Sequence, residues 1–317
     1  MMVTVVARRL GAMVLTLVLS SVVIFAAMYA APGDPVTFLI GNPENITPEK
    51  VAAVRAQYHL DEPVWTQYAL WAGNVLQGDL GTSFVYRQPV SDLMGPRLGV
   101  TLTLVAMAAV LFVLLGVSLG VVSALKRGTA LDSVITGATT FLNSVPSFVT
   151  ALVLVSFFSV QLGWFDVAGA GSGFADRLYH LTLPAIALAL GALAVISRVT
   201  RQTMLEQRTL DHVEAARSFG LAPHKVVLRH VLRNSLGPIV TMCGLVLASM
   251  LAGTIVIEKV FGLSGVGSLL VEAINTHDFP VVQAILLYMV VAYMVVTTVV
   301  DLAYPLIDAR TRERSRA

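Results

Sequence analysis

Six long stretches of the chain contain no charged side chain. Asp, Glu, Lys and Arg are absent from residues 10–33, 98–125, 133–165, 178–197, 234–257 and 279–300. Each stretch reaches the roughly 20 apolar residues that a helix needs to cross the hydrocarbon layer of a bilayer. The apolar residues run continuously and do not alternate with polar ones, which is the pattern of helices and not of barrel strands. The third stretch exceeds one span, and we expect its helical part to end near Val160.

The composition agrees with a lipid-embedded chain. Hydrophobic residues make up 56% of the sequence and charged residues 13%, whereas ordinary soluble domains contain about 25% charged residues. The first stretch follows Arg8 and Arg9 and therefore has a second interpretation as a cleaved signal peptide. Its apolar run is longer than the roughly 7–15 residues of such a peptide, so we expect it to remain as a span. The predicted fold is an all-α polytopic membrane protein with six transmembrane helices.

The basic residues indicate the orientation of the chain. With both termini inside, 15 of the 21 Lys and Arg residues fall in inside segments, and 12 of the 19 acidic residues fall outside. Basic residues near the ends of spans favour the cytoplasmic side of the membrane. The sequence thus predicts an N-in, C-in topology.

This topology divides the chain into four parts. Residues 1–31 are the cytoplasmic N-terminus and the first helix, and residues 32–97 are an outside domain. Residues 98–306 are the other five helices, with one large inside loop at 198–233, and residues 307–317 are a cytoplasmic tail. Apart from the outside domain and this inside loop, the connections between the helices are short.

The outside domain contains one clear helix start. In Thr47-Pro48-Glu49 the threonine can cap, the proline suits the first helical position, and the acid favours the positive end of the helix dipole. The domain is also rich in aromatic side chains, which we expect against the membrane surface because amphipathic rings accumulate there. These are Tyr58, Trp65, Tyr68, Trp71, Phe84 and Tyr86.

The sequence lacks the motifs of a protein that supplies its own energy or chemistry. It contains no Gly-x-x-x-x-Gly-Lys-Ser/Thr phosphate-binding loop, no paired histidines with a supporting carboxylate, and no Gly-x-Ser-x-Gly nucleophile motif. The six apolar stretches also carry no carboxylate, although ion-coupled transporters place ionisable groups within the membrane. We therefore expect no catalysis, cofactor or metal in this chain, and we expect a partner to supply the driving force.

The inside loop predicts a short helix, a forced turn and a second helix. Asp211 can cap the first helix, and Glu214 can reach back to complete a capping box. Gly220 suits the left-handed conformation that follows a helix end. Leu221 and Pro223 then begin a second helix on the cytoplasmic surface.

Ala215 and Phe219 lie on one face of the first helix, because they are four residues apart. Two interpretations of this small apolar face remain open from the residues alone. The helix can seat in a groove of a partner protein. Alternatively, the loop can lie as a basic amphipathic helix on anionic lipid, with Glu214 acting only as a cap.

The same loop carries the first of several family motifs. Glu214-Ala215-Ala216, three further residues and Gly220 resemble the EAA loop of bacterial ABC importer permeases. The Ile-x-Leu-Pro of the general form is absent, and HVLRNSLGP at 230–238 instead resembles the dipeptide, oligopeptide and nickel branch. Other segments similar to that branch are APGDP at 31–35, GDLGTS at 78–83, EKVFGLSGVG at 258–267 continuing to DFPVVQ at 278–283, and DLAYPLIDAR at 301–310. Ala309 stands where members often have proline, but the resemblance covers essentially the whole chain.

The resemblance implies the type I ABC importer permease fold and a place as one pore subunit of an ATP-driven importer. The implied cargo is a di- or oligopeptide, with nickel, glutathione and heme as alternatives. The implied partners are a second homologous permease subunit, one or two ATP-binding subunits that hold ATP and magnesium, an extracytoplasmic substrate-binding protein and membrane lipid, and no nucleic acid. The implied location is the bacterial cytoplasmic (inner) membrane. An ATP-independent channel and a scaffold membrane subunit are the rival interpretations.

In the family, the EAA loop is the coupling helix that docks on the ATP-binding subunit. The resemblance carries this role to Glu214, Ala215, Ala216, Phe219, Gly220 and Leu221. Gly220 would permit the turn, and Ala215 and Ala216 would permit close approach of the partner.

Polar residues in the third stretch are candidates for the translocation path. Asn143, Ser144 and Ser147 flank Pro146. Serine beside such a kink can also satisfy neighbouring backbone groups, which is the alternative interpretation.

Two other regions complete the predictions. Glu258, Phe261 and Asp278 mark the outside region where a binding protein or gate is expected. Gly116 and Gly120 have the GxxxG spacing that lets two membrane helices approach closely; incidental spacing in an apolar run is the alternative.

Overall fold

The protein is built from helices, and its computed structural model describes residues 2–30, 48–57 and 61–307. In chain order the helices are α1 (Met2–Ala30), α2 (Pro48–Gln57), α3 (Val64–Leu76), α4 (Val90–Leu125), α5 (Ala130–Ser144), α6 (Ser147–Gln161), α7 (Phe174–Gln207), α8 (Asp211–Ser218), α9 (Pro223–Val260), α10 (Val266–Asn275) and α11 (Phe279–Ile307). Short π-helical segments occur within α6 at Val155–Gln161 and within α9 at Val226–Leu232. The predicted helix start at Pro48 is confirmed by α2.

Most of the predicted spans are single helices. Within the described residues, α1, α4, α7, α9 and α11 are each long and apolar enough to cross a membrane. Helices α5 and α6 meet that criterion only together, and they are bent by 101° where they meet. Counted as one broken span, the pair brings the number to six, as the charge-free stretches predict.

The break between α5 and α6 has a local cause. Proline has no backbone N–H and forces the residue before it into an extended conformation. Val145 accordingly has φ −86° and ψ 125°, and Pro146 has φ −57° and ψ 139°. The third stretch therefore contains two helices and not one, although its helical part ends at Gln161, close to the predicted Val160.

The chain divides into two compact units. One comprises residues 1–99 and 265–292, and the other comprises residues 100–264 and 293–317. In the first unit, α3 lies against the second half of α1, where Phe25 contacts Tyr68 and Trp71 with ring-centroid distances of 5.5 and 5.6 Å. In the second unit, α4, α6, α7 and α9 enclose a core of fully buried apolar side chains, among them Leu104, Phe112, Leu181, Ile196 and Ile257.

Helices α4 and α7 approach closely at the two glycines of the GxxxG pattern. A Cβ atom added to Gly120 would lie 2.5 Å from the Cβ atom of Thr200 and 2.6 Å from the carbonyl oxygen of Ser197. A Cβ atom added to Gly116 would lie 3.0 Å from the Cβ atom of Ile196. The spacing is therefore not incidental, and the close-packing interpretation is confirmed.

Candidate functional site

The cytoplasmic loop begins with a short helix whose start differs from the prediction. Leu210 is the N-cap residue, with φ −85° and ψ 147°, and no side chain caps the helix. Asp211 is already the first helical residue, so the predicted capping box with Glu214 is wrong. Instead the Leu210 carbonyl accepts hydrogen bonds from the backbone N–H groups of Val213 (2.9 Å) and Glu214 (3.3 Å). Asp211 and Glu214 lie in the first turn, where negative charge is favourable near the positive end of the helix dipole.

The end of α8 follows the prediction. Gly220 has φ +73°, a backbone conformation that residues other than glycine and asparagine rarely adopt. Its N–H donates to the carbonyl of Arg217 (2.9 Å), and the N–H of Leu221 donates to the carbonyl of Ala216 (3.3 Å). These two bonds form a Schellman motif, which satisfies the last carbonyl groups of the helix and reverses the chain direction.

Helix α8 has a buried face and an exposed face. Val213 and Ala216 are buried in a small apolar cluster with Ala124, Met204, Val226 and Val231. The opposite face leaves Glu214, Ala215, Gly220 and Leu221 exposed, and Phe219 is 86% exposed. Five of the six predicted coupling residues are therefore accessible. Ala216 is the exception, because it packs against the protein itself and cannot contact a partner in this structure.

The segment after α8 also differs from the prediction. The second cytoplasmic helix is not a separate element, because α9 runs continuously from Pro223 to Val260. Asn234 Nδ2 donates to the His230 carbonyl (2.8 Å) and lies 3.0 Å from Nε2 of His212. The short helix is thus attached directly to a membrane span by both apolar and polar contacts.

An ion pair between a buried carboxylate and a partly buried guanidinium joins the helices above the loop, and it was not predicted from the sequence. Arg201 on α7 donates from Nε and Nη2 to the two carboxylate oxygens of Asp132, both at 2.8 Å. Ser123 Oγ (2.5 Å) and the Gly128 N–H (3.0 Å) donate to the same carboxylate, which is buried. Arg208 further donates from Nη1 to the Ala124 carbonyl (2.8 Å). The available sequence signal was Asp132 itself, which is the single acidic residue between the second and third charge-free stretches.

The three residues predicted to mark the outside binding-protein or gate region are buried. Glu258 and Phe261 lie inside the second unit, and Glu258 accepts a hydrogen bond from Thr101 Oγ1 (2.6 Å). Asp278 lies inside the first unit and is also buried. A docked protein could not touch any of the three in this structure.

Asp278 joins two of the family motifs. Its carboxylate accepts from Ser83 Oγ (2.5 Å) and from the backbone N–H groups of Phe84 (3.0 Å) and Val85 (3.4 Å). The GDLGTS segment therefore meets the DFPVVQ segment, although 195 residues separate Ser83 from Asp278.

A tyrosine next to this junction adds a second link. Tyr86 donates its hydroxyl hydrogen to Glu272 (2.6 Å), and the Arg97 guanidinium lies 5.9 Å from the ring centroid of Tyr86. The bond to the carboxylate, aided by partial burial, raises the pKa of the Tyr86 hydroxyl above its ordinary value.

The polar residues at the α5–α6 break are exposed. Ser144 Oγ donates to the Thr140 carbonyl (2.9 Å), which is the backbone-satisfying role given as the alternative. Asn143 and Ser147 are exposed, and their side chains make no hydrogen bond to another described residue. Among the described residues, no group of three His, Cys, Asp or Glu side chains could hold a metal ion.

Comparison with known proteins places these features in a family. Residues 113–313 match the family "Binding-protein-dependent transport system inner membrane component", and residues 1–105 match the corresponding N-terminal family. The chain is 35% identical over 308 residues to a probable peptide ABC transporter permease protein of Sinorhizobium fredii (96% of this chain, 98% of the relative). It is 35% identical to a dipeptide transport system permease protein of Lactococcus lactis (98% and 100%) and 37% identical to a glutathione transport system permease protein of Salmonella choleraesuis (96% and 97%).

Solved structures share the fold. A chain of the inward-facing MetNI methionine ABC transporter matches with a TM-score of 0.58 and 18% identity, over 68% of this chain and 96% of that one. A chain of an amino acid ABC transporter matches with a TM-score of 0.51 and 19% identity, over 68% and 94%. At these identities the likeness confirms the predicted type I importer permease fold and nothing finer.

Proposed function

The chain belongs to the binding-protein-dependent transport system inner membrane components, and we propose that it is one pore-forming subunit of an ATP-driven importer of di- and oligopeptides. The cargo is inferred from the full-length relatives of the peptide and dipeptide systems. Glutathione is the second candidate, because the relative from the glutathione system is 37% identical over 96% of this chain. Glutathione is itself a small peptide, so one pore chemistry serves both.

The observation that carries the proposal is the two-faced helix α8. Its buried face is fixed to α7 and α9 through Val213 and Ala216, while Phe219 projects 86% exposed from the end of the other face. Exposed aromatic side chains on a supported helix are typical anchors of protein interfaces. We infer that an ATP-binding partner binds this exposed face of α8. Movements of the partner are then transmitted to α9 through the buried contacts of Val213 and Ala216.

The remaining partners follow from the same assignment. A substrate-binding protein delivers cargo on the outside of the bacterial cytoplasmic membrane, and a second permease chain completes the pore. The polar side chains at the α5–α6 break are the proposed path contacts, with Asn143 and Ser147 unengaged by other described residues. ATP and magnesium are held by the ATP-binding partner, and this chain takes no part in hydrolysis.

The test is peptide uptake by the reconstituted importer. Gly220→Asp strains the left-handed turn, and Glu214→Arg places a like charge at the positive end of α8. Each variant is expected to insert normally and to bind loaded binding protein, but to lose uptake. If either variant takes up peptide as fast as the unmodified chain, the loop around Glu214 and Gly220 is not the docking site for the ATP-binding partner.

Co-purification separates the rival classes. A permease subunit brings down an ATPase whose hydrolysis rises when loaded binding protein is added. A channel conducts in liposomes without any partner, and a scaffold subunit shows neither behaviour. Labelled dipeptide, oligopeptide and glutathione, offered in competition, then identify the cargo.

A further inference from the structure

Helix α3 contacts α1 below the outer end of its membrane span. Within α1, the segment Gly11–Met28 is apolar enough to cross a membrane. The Tyr68 hydroxyl lies 2.9 Å from Ser21 Oγ, and Phe25 contacts both Tyr68 and Trp71. Ser21 and Phe25 both lie within that apolar segment. Helix α3 therefore packs against residues of the α1 span and not only against residues that follow it.

The sequence of α3 suits that depth. Its thirteen residues, Val64–Leu76, include no charged side chain. Trp65, Ala69, Ala72 and Leu76 fall within one narrow stripe at 100° per residue. Trp65 is 76% exposed and Leu76 is 87% exposed, whereas Gln67, Tyr68 and Trp71 lie on the side that faces α1 and are at least partly buried.

We propose that α3 is an in-plane membrane helix whose Trp65–Leu76 stripe inserts into the headgroup and acyl boundary of the outer leaflet. In-plane helices sink roughly 5–10 Å into this boundary, and the contacts of α3 with apolar residues of the α1 span are consistent with such a position. Tryptophan is favoured there because its ring is apolar and its N–H is polar. On α1, Val22 and Val23 lie close in sequence to the residues that contact α3 and are exposed as well.

The helix gives the outside domain a fixed height on the membrane. The stripe has no charged residue, and two of its side chains are more than three-quarters exposed. Contact of such an apolar surface with water is unfavourable. Lipid contact removes that cost without a protein partner. The alternative occupant, a docked binding protein, is an outcome of the following test.

The test measures depth at Trp65 in the full-length chain. Trp71→Phe and Trp164→Phe leave Trp65 as the one tryptophan. The purified full-length chain, without partner subunits, is reconstituted in phosphatidylethanolamine and phosphatidylglycerol vesicles that contain a phosphatidylcholine with a nitroxide near the headgroup or near the acyl-chain end. The shallow nitroxide is expected to quench Trp65 fluorescence about twofold more than the deep one, as for a helix in the boundary layer. Absence of quenching by either lipid would overturn the proposal.

A matched pair on the same helix provides the control. In a Cys243→Ser background, Leu76→Cys lies on the stripe and Asn74→Cys lies on the opposite side of α3. Spin labels at these positions should differ, with position 76 accessible to oxygen and position 74 to a water-soluble nickel chelate. Equal access of the chelate to both overturns the proposal, as does shielding of position 76 only after binding protein is added. Substrate-stimulated ATPase activity of each variant shows that the importer is assembled.

Discussion

Thr200 covers Gly120 so closely that no side chain fits between α4 and α7. A Cβ atom at position 120 would lie 2.5 Å from the Cβ atom of Thr200 and 2.6 Å from a backbone oxygen. Because the obstacle includes backbone, the two helices would have to separate. Without a strong hydrophobic force between helices in lipid, such close packing is a main source of their association.

Gly120→Ala is therefore expected to destabilise the protein by about 1–3 kcal/mol, the usual cost of forcing an extra methyl group into a packed site. Thermal unfolding of the purified protein in detergent measures it. The matched control is Gly137→Ala on α5, where an added Cβ meets nothing within 4 Å. That variant should be neutral or stabilised by up to about 1 kcal/mol. A transition temperature for Gly120→Ala equal to that of the control contradicts the packing argument.

Asp132→Asn is expected to loosen the cytoplasmic ends of α4, α5 and α7. It removes the negative charge that receives both bonds from Arg201, together with those from Ser123 and Gly128. Leaving hydrogen-bonding groups unsatisfied costs about 1–3 kcal/mol. The double variant Asp132→Asn, Arg201→Gln should lose less than the two single variants combined. Simple additivity in thermal unfolding would show that the pair does not act as a unit.

Phe219→Ala is expected to weaken the hold of the ATP-binding partner without harming the fold, because the side chain is 86% exposed. Truncation of a central interface anchor costs about 2 kcal/mol, or roughly 30-fold in affinity. Pull-down of the ATPase with tagged permease at graded concentrations measures this loss. Leu228→Ala removes another exposed apolar side chain, on the first part of α9, and should bind normally. Equal binding by both variants would place the docking surface elsewhere.

Asp278→Asn is expected to free the segment from Ser83 to Val85. Three donors converge on the carboxylate, and an amide can offer only one oxygen to them. The lost bonds correspond to about 1–3 kcal/mol of local stability, so the N–H groups of Phe84 and Val85 should exchange hydrogen faster. Asp92→Asn changes an exposed carboxylate in the same unit and serves as the control. Unchanged exchange at Phe84 would show that other contacts hold the segment.

Features that depend on short stretches of sequence could be predicted. Charge-free runs located the spans because lipid excludes charges whatever the tertiary structure. Gly220 marked the end of α8, since a left-handed backbone admits few other residues. The GxxxG spacing located a close helix contact in the same way.

Features that depend on long-range pairing could not be predicted. No local pattern connects Ser83 with Asp278 across 195 residues, so the burial of Asp278 and its hydrogen bonds were not predicted. The capping box failed because Leu210 provides the helix start through its backbone alone. The burial of Ala216 depends on Met204 and Val226 from neighbouring elements, which helical spacing by itself does not show.

The continuity of α9 has a mechanical consequence. Its 38 residues span about 57 Å, nearly twice the roughly 30 Å of the hydrocarbon layer. One end rests on α8, and the other carries Glu258 in its bond to Thr101. If a rigid helix of this length pivots near its middle, its two ends move in opposite directions. A tilt of about 10° then shifts each end by roughly 5 Å. A push on α8 from the cytoplasm would then move the end of α9 that carries Glu258 in the opposite direction.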